Sequence, residues 1–506
     1  MVLYSKVIAH KHIVKERDSM RYKFKLPPYA HQLEALKRSW DKSYYAFFMD
    51  MGTGKSKVLI DNFSMLYDKG AIDSVLIIAP KSVYRNWERK EIPMHLPTHI
   101  QTDMVVWSPH KTQKKLKELD TLNDVNHNLK IFLMNIEALS TKRGYEKAAE
   151  FLGCRQAMLA IDESTTIKSP RAARTKNLLK LRKLSPYRRI LTGSPVTKSP
   201  IDLYSQCEFL EEECLQQSSF WSFQNRYAKM VRRTISTHSF NSIVGYQNLT
   251  ELNELLTQFS YRVRKEDCLD LPDKIYIKRE VALTDEQQKI YTDLKNNAMA
   301  FIESKELVTA PTILTQLLRL QQICSGFTKT EEGTILPLKS HKLTELMATL
   351  EETQGKVIIW GFFTQNLLEI QKAIATAKTP EGDLKYGPES VEIFYGQTKS
   401  EDRQSIVEKF QDPQSPLRFF VGQPRTGGYG LTLTEAKTVI YFSNGYDLEV
   451  RLQSEDRAHR IGQTNKVTYV DIIAKDTIDE KILQALRSKI DISAKVMNEG
   501  YKEWIV

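Results

Sequence analysis

Short, nearly uninterrupted apolar runs alternate along the chain with segments whose apolar positions recur every three or four residues. Val75-Leu76-Ile77-Ile78-Ala79, Ile131-Phe132-Leu133-Met134 and Met158-Leu159-Ala160-Ile161 predict strands, and Ser82 to Glu91 predicts a helix. A second series follows with Val357-Ile358-Ile359-Trp360, Val391-Glu392-Ile393-Phe394-Tyr395, Leu417-Arg418-Phe419-Phe420-Val421 and Val439-Ile440-Tyr441-Phe442. A strand buried on both faces has no polar side to alternate with, so continuous runs separated by helices point to parallel sheets covered on both sides. Two such series predict two α/β lobes. Between them, over about residues 200–345, strand signals thin out. Asn248–Gln258 and Asp285–Leu307 read as helical, and Leu314, Leu317, Leu318 and Leu320 continue an apolar stripe at helical spacing. Thr379-Pro380-Glu381-Gly382-Asp383 reads as a surface loop from its turn residues.

Composition narrows the class. At 506 residues the chain is long enough for three units, or two large ones with insertions. Hydrophobic residues at 41% and charged residues at 27% are the balance of a globular protein and exclude a disordered chain. No run approaches the roughly 18 apolar residues that cross a bilayer, so an integral membrane protein is not expected. The first twenty residues hold Lys6, Lys11, Lys15 and Arg17 without an apolar core, so no secretory signal is expected. Cys154, Cys207, Cys214, Cys268 and Cys324 are odd in number and lack C-x-x-C spacing, which argues for free thiols in a reducing compartment, cytoplasm or nucleus. The net charge of +11 favours a polyanionic partner, and residues 1–25 form a basic arm with a local charge of +5.

One stretch carries the most chemistry. Phe47-Phe48-Met49-Asp50-Met51-Gly52-Thr53-Gly54-Lys55-Ser56 runs from an apolar segment through a glycine turn into the helical Lys57-Val58-Leu59-Ile60. Glycines let backbone N–H groups converge on phosphate oxygens, and a new helix points its positive end at them. Lys55 is placed to neutralise the β- and γ-phosphates and Ser56 to ligate Mg²⁺. Met49 stands where the full phosphate-loop pattern has its first glycine, so only the shorter G-x-G-K-[ST] form remains. Downstream, Asp162 and Glu163 follow a buried strand, at the end where α/β sheets place ligands. Asp162 is a candidate Mg²⁺ ligand and Glu163 a candidate acceptor for the proton of an attacking water. Together these elements predict a nucleoside triphosphatase.

The second series adds cations. Arg457 and Arg460 lie three apart in a segment read as helical, which puts them on one face. Two guanidinium groups there suit the charge that develops on a triphosphate. Gly427-Gly428-Tyr429-Gly430 follows the strand ending at Val421 and permits close backbone approach to phosphate, of nucleotide or of nucleic acid.

In order, the chain reads Tyr29-Ala30-His31-Gln32, Met51 to Ser56, Ile78-Ala79-Pro80-Lys81-Ser82, Asp162-Glu163-Ser164-Thr165 and Leu191-Thr192-Gly193-Ser194-Pro195. Then come Gly427 to Ala436 and Gln453 to Gln463. This series resembles helicase superfamily two and, within it, the Swi/Snf-type DNA translocases, over about residues 25–497. Arg457-Ala458-His459-Arg460-Ile461-Gly462-Gln463 is its most subgroup-specific part.

The resemblance implies an α/β fold of two RecA-like parallel-sheet lobes, a mostly helical insertion between them and a C-terminal brace helix. It sets the arm at 1–25, the first lobe at 26–200, protrusions and linker at 201–345, the second lobe at 346–475 and the brace at 476–506. It implies ATP and Mg²⁺ as cofactors. Tyr29 and Gln32 read adenine, Gly52, Thr53, Gly54, Lys55 and Ser56 hold phosphates and metal, and Gln453, Arg457 and Arg460 complete the site from the other lobe. Lys81, Ser82, Gly427, Gly428 and Thr432 lie near the nucleic-acid backbone. Members of the family often carry Ala-His after Asp-Glu, where this chain has Ser164-Thr165, which puts the coupling of hydrolysis to movement in question.

A motor that tracks phosphates needs cations and backbone donors rather than base readers. The expected partner is DNA, duplex or branched, with no membrane partner and a monomeric chain acting as a bare motor. The basic arm and the cluster Lys111, Lys114, Lys115 and Lys117 are candidate phosphate contacts, and Trp87, Trp107 and Trp360 are expected to pack in the core rather than stack on bases. The leading expectation is a DNA-dependent ATPase that translocates on duplex DNA. A strand-separating DNA or RNA helicase and an ATP-gated nucleic-acid scaffold share the same ATP residues.

Overall fold

Strand patterning sets the architecture. The computed structural model describes residues 22–497 apart from 82, 110–111, 125, 236–237, 269–270, 304–309, 331 and 428–430. Most of the basic arm, Ser82, Lys111 and Gly428 therefore lie outside the described residues, as do the side chains of Lys114 and Lys115. The first sheet is built from β1 (Tyr44–Met49), β2 (Ser74–Ala79), β3 (Thr102–Val106), β4 (Leu129–Asn135), β5 (Ala157–Asp162) and β6 (Tyr187–Thr192). An antiparallel hairpin of β7 (Ala228–Ile235) and β8 (His238–Tyr246) follows, and then β9 (Ser260–Val263). The sheet order is β3-β4-β2-β5-β6-β1-β9, and every pair in it is parallel.

The second sheet begins with β10 (Lys274–Val281) and, past a small hairpin of β11 (Phe327–Lys329) and β12 (Ile335–Pro337), continues with β13 (Lys356–Trp360) and β14 (Val391–Phe394). β15 (Phe419–Gly422), β16 (Ala436–Tyr441) and β17 (Val467–Ala474) complete it. Its order is β10-β17-β16-β13-β15-β14, again all parallel.

Each sheet has a core on both faces. Phe48, Leu76 and Phe132 pack on one side of the first sheet, and Phe47, Ile77 and Leu133 on the other. Ile359, Val421 and Ile440 do the same for the second sheet against Ile358, Phe420 and Val439. This two-sided burial is why the strands appear in the sequence as unbroken apolar runs. Trp87, Trp107 and Trp360 are all buried, so they pack rather than stack on bases.

The interlobe region holds more than helices. It supplies β9 to the edge of the first sheet and β10 to the edge of the second, so residues 264–273 are the direct tie between lobes. β10 escapes a sequence reading because an edge strand is half solvated: Ile275 and Ile277 are exposed, and Lys274, Lys278, Arg279 and Glu280 are charged. The helix Ile478–Val496 starts on the second lobe, where Ile482 and Leu486 pack with Tyr291 and Leu320. It ends on the first, where Val496 joins the core and accepts a hydrogen bond from Asn253 Nδ2 at 2.9 Å. Among the described residues no helix is long and apolar enough to cross a membrane.

A buried ion network fixes the second lobe's half of the cleft. Arg451, on the helix Leu448–Glu455, donates to Asp471 on β17 through both terminal nitrogens, at 2.6 and 2.9 Å, and to Glu455 at 2.8 Å. Its guanidinium lies 3.5 Å from the centre of the Tyr441 ring. Glu455, fully buried, also receives Lys274 at 3.0 Å and Tyr276 at 2.7 Å from β10. Removing one member leaves carboxylates uncompensated in low dielectric, so Arg451→Ala is expected to cost about 3–5 kcal/mol of stability in denaturant unfolding. A loss under about 1 kcal/mol would show that the network is not holding that helix.

Candidate active site

The loop after β1 is shaped by two glycines and bolted from outside. Gly52 and Gly54 adopt φ of +85° and +87°. A Cβ on Gly54 would sit 2.1 Å from Gln32 Nε2, so only glycine fits there. Gln32 Nε2 and His31 Nε2 both donate to the Thr53 carbonyl, at 3.0 and 2.8 Å, and Tyr29 N donates to Gln32 Oε1 at 3.0 Å. The start of the helix Ala30–Ser39 is thereby clamped to the loop. The Tyr29 ring is 57% exposed and stacks on His31 at 5.9 Å, leaving an open aromatic face at the rim. The helix Lys55–Asp68 starts at Gly54 with no side-chain cap and no acidic residue in its first turn. Its orphan N–H groups and positive end are thus left for an anion. Lys55 is buried, with its ammonium 3.5 Å from the Asp50 carbonyl.

The carboxylates arrive from β5, separated from β1 by β6 alone. Asp162 ends the strand, and Glu163 sits in the left-handed region at φ 52°, which turns its side chain out of the sheet. Strain of that kind persists where surrounding bonds over-determine it. Here Thr166 N and Oγ1 both donate to the Glu163 carbonyl, at 3.0 and 2.9 Å. Burial and the neighbouring Asp162 and Glu449 charges push the Glu163 carboxyl up to about 7, against the pull of Lys55 and Arg457. Burial also raises Asp162, offset by Lys55 and by Trp87.

Trp87 Nε1 donates to Asp162 Oδ2 at 2.9 Å. Trp87 opens a π-helical turn, Trp87–Glu91, inside the segment expected to be one regular helix. That widened turn also carries Glu91, which accepts from Asn86 Nδ2 at 3.0 Å and lies close enough to Ser56 and Asp162 for both to bear on its ionisation. Ser56, Asp162 and Glu91 form a group of oxygen donors of the type Mg²⁺ takes, with one or two carboxylates and a hydroxyl. Sequence reading missed Trp87 and Glu91 as site residues, since nothing in their spacing marks them.

The other lobe closes the site. Arg457 is 2% exposed, donates to Gln453 O at 2.8 Å and Leu431 O at 3.1 Å, and places its remaining nitrogen 3.5 Å from Met51 Sδ in the loop after β1. Arg460 donates to the same Leu431 carbonyl at 3.0 Å, and its Cβ lies 3.7 Å from where a Cβ on Gly52 would be. The two arginines do not share a helix face as expected: the helix ends at Glu455, and both stand in the turns beyond it. One carbonyl gathers them instead. Lys265, from the interlobe tie, donates to Asp456 at 2.5 Å and to His459 O at 2.8 Å, while its backbone N–H donates to Asp50 at 3.1 Å. Burial lowers its ammonium to about 8, resisted by Asp456. A cavity of about 640 Å³ between the lobes is lined by Glu163, Thr192, Arg262, Lys265, Glu449 and Gln453, among others.

Lys81 is exposed just past β2, and Thr432 is half-buried. Gly427 is buried, and a Cβ there would meet the Trp360 ring at 2.6 Å, so close packing requires glycine at that position.

Comparisons with known proteins converge. A family model described as SNF2-related domain matches residues 34–327, and one described as helicase conserved C-terminal domain matches residues 338–462. A putative ATP-dependent helicase/translocase of Bacillus subtilis is 28% identical over 470 residues, covering 90% of this chain and 46% of that protein. A SWI/SNF chromatin-remodeling complex subunit of Schizosaccharomyces pombe is 26% identical over 476 residues, covering 89% of this chain and 26% of that protein. The chain thus spans less than half the length of these curated relatives. A solved structure, the Sulfolobus solfataricus SWI2/SNF2 ATPase core in complex with dsDNA, is 25% identical, with a TM-score of 0.41 over 96% of this chain and 100% of that one.

The geometry of the loop yields a test that needs no activity. Gly54→Ala must adopt positive φ and displace Gln32, so a loss of about 1–3 kcal/mol in thermal or denaturant unfolding is expected. Unchanged stability would mean that the Gln32 clamp is loose.

Proposed function

The chain belongs to the SNF2-related family, within the Swi/Snf-type branch of helicase superfamily two, and on that premise we propose that it is a DNA-dependent ATPase that translocates on duplex DNA. The single observation that carries the reading is Arg457 of the second lobe held against Met51 of the first lobe's phosphate loop. A site assembled from two bodies does its chemistry only when they are closed, so hydrolysis and relative motion are linked.

In this reading the triphosphate lies along the Gly52–Ser56 loop, with adenine against Tyr29 and Gln32. Backbone N–H groups at the start of the helix Lys55–Asp68 and the Lys55 ammonium take the phosphate charge. Ser56 and Asp162 would hold Mg²⁺, with Trp87 orienting Asp162; when bound, the ion would supply positive charge against the phosphates. Glu163 accepts the proton of the attacking water on its carboxylate. Arg457 and Arg460 stabilise the charge that builds on the transferring phosphoryl oxygens. Loss of the γ-phosphate removes what both lobes grip, and reopening shifts one lobe against the other. Lys81, Ser82, Gly427, Gly428 and Thr432 are the proposed backbone contacts. The helicase/translocase naming of the Bacillus subtilis relative and the chromatin-remodeling complex of the Schizosaccharomyces pombe one suit duplex DNA as the polymer.

The deciding experiment measures ATP turnover with duplex DNA, single-stranded DNA and RNA, followed by triplex displacement beside forked-duplex unwinding. Stimulation by duplex DNA with triplex displacement and no strand separation is expected. Unwinding would assign a helicase instead, and rates indifferent to every polymer would defeat both. Lys55→Ala is expected to abolish hydrolysis and weaken nucleotide binding. Arg460→Ala is expected to keep binding and cut turnover by on the order of 10³-fold.

The pH profile follows from Glu163, which works as a base only when ionised. Its carboxyl is raised to about 7, so kcat/KM should rise with pH through a midpoint near 7. A profile flat down to about pH 5.5 would remove Glu163 from proton transfer.

A further inference from the structure

The turn after Glu163 makes a bond across the cleft. Thr165, 2% exposed, donates its hydroxyl to Glu449 Oε1 at 2.6 Å, and Lys168 lies 3.6 Å from Glu449 Oε2. Both donors are on the first lobe, and Glu449 is on the first turn of the second lobe's helix Leu448–Glu455. One turn along that helix, Gln453 Nε2 also donates to Glu449 Oε1, at 3.3 Å. An ionised carboxylate only accepts hydrogen bonds, so the nitrogen of the Gln453 amide must face Glu449 and its oxygen must face away. That oxygen, Gln453 Oε1, is buried and has no hydrogen-bond partner among the described residues. A buried acceptor without a donor is costly and calls for an incoming one. Gln453 and Glu449 line the same cavity as Glu163.

We propose that Glu449 is a positioning residue of the ATP site: held from the first lobe by Thr165 and Lys168, it fixes the Gln453 amide so that Oε1 is left to accept a hydrogen bond from the attacking water, whose proton goes to Glu163. The proposal rests on the nucleoside-triphosphatase reading of the site. It also gives the Ser164-Thr165 pair a role. Ser164 donates to Gln206 at 2.7 Å within the first lobe, while Thr165 crosses to the second, so the pair reports closure through a hydroxyl and a carboxylate. The bonds of Glu449 run to Thr165, Lys168 and Gln453 rather than to the phosphate loop, so its loss should leave nucleotide affinity alone and act on turnover. Opening the lobes breaks the Thr165 and Lys168 contacts together and frees the amide to rotate, which ties the geometry of the water site to closure.

The test uses the full chain, ATP hydrolysis, ATP affinity from a fluorescent analogue, and hydrogen exchange over residues 164–168. Glu449→Ala and Thr165→Val are each expected to lower kcat roughly tenfold, the worth of a hydrogen bond to a charged group, with ATP affinity within about twofold of the parent. Thr165→Ser, which keeps the hydroxyl, should restore kcat. The double variant Thr165→Val/Glu449→Ala should be no slower than Glu449→Ala, because both act through one contact. Exchange at 164–168 should rise in Glu449→Ala without a drop in Tm. Full turnover in Glu449→Ala, multiplied losses in the double variant, or failure of Thr165→Ser to rescue would overturn the proposal. A parent chain that hydrolyses no ATP would overturn the triphosphatase reading and this role of Gln453 with it; the exchange arm would then show whether Thr165–Glu449 is merely structural.

Discussion

The structure turns on a charge problem at the seam between the lobes. Lys55, Asp162 and Glu163 are buried at the cleft by the first lobe, and Arg457 and Gln453 by the second, with Glu449 half-buried beside them. Charges taken out of water need partners close by. Among the described residues, the cations that favour the ionised form of Glu163 are Lys55 of its own lobe and Arg457 from the far side. Arg457 in turn gives two nitrogens to carbonyls of its own lobe and turns the third to Met51. A triphosphate placed there would add negative charge where cations of both lobes already converge.

Such a seam works only if each half is rigid. The first lobe holds its loop from outside through Gln32 and His31, and orients Asp162 through a tryptophan from a widened helical turn. The second lobe anchors the helix that leads to Arg457 through Arg451, Asp471 and Glu455, and ties that helix to β10 through Lys274 and Tyr276. β10 follows directly on the interlobe tie that carries Lys265, whose backbone touches the loop residue Asp50 and whose ammonium touches Asp456. Loop, tie and arginine turn thus meet at one residue, while the helix Ile478–Val496 spans the lobes further out.

Contiguous chemistry is legible along the chain. A phosphate loop needs glycines, a lysine and a hydroxyl within a few residues, because neighbouring backbone N–H groups must face one ligand, and Gly52 to Ser56 display that need in one dimension. Asp162 and Glu163 are legible for the same reason, as are strands buried on both faces. The edge strands β9 and β10 are hidden, since half-solvated strands lose their apolar signature.

The two parallel-sheet lobes and the family thus follow from the amino-acid order, because each is a periodic or local pattern. Folding in three dimensions was needed to bring Trp87 to Asp162, Glu91 to Ser56, Arg457 and Arg460 to one carbonyl, and Glu449 to Thr165 across the cleft. Compensation of buried charge is a matter of distance in space. Residues 26 to more than 400 positions apart meet there, and no spacing along the chain records which of them do.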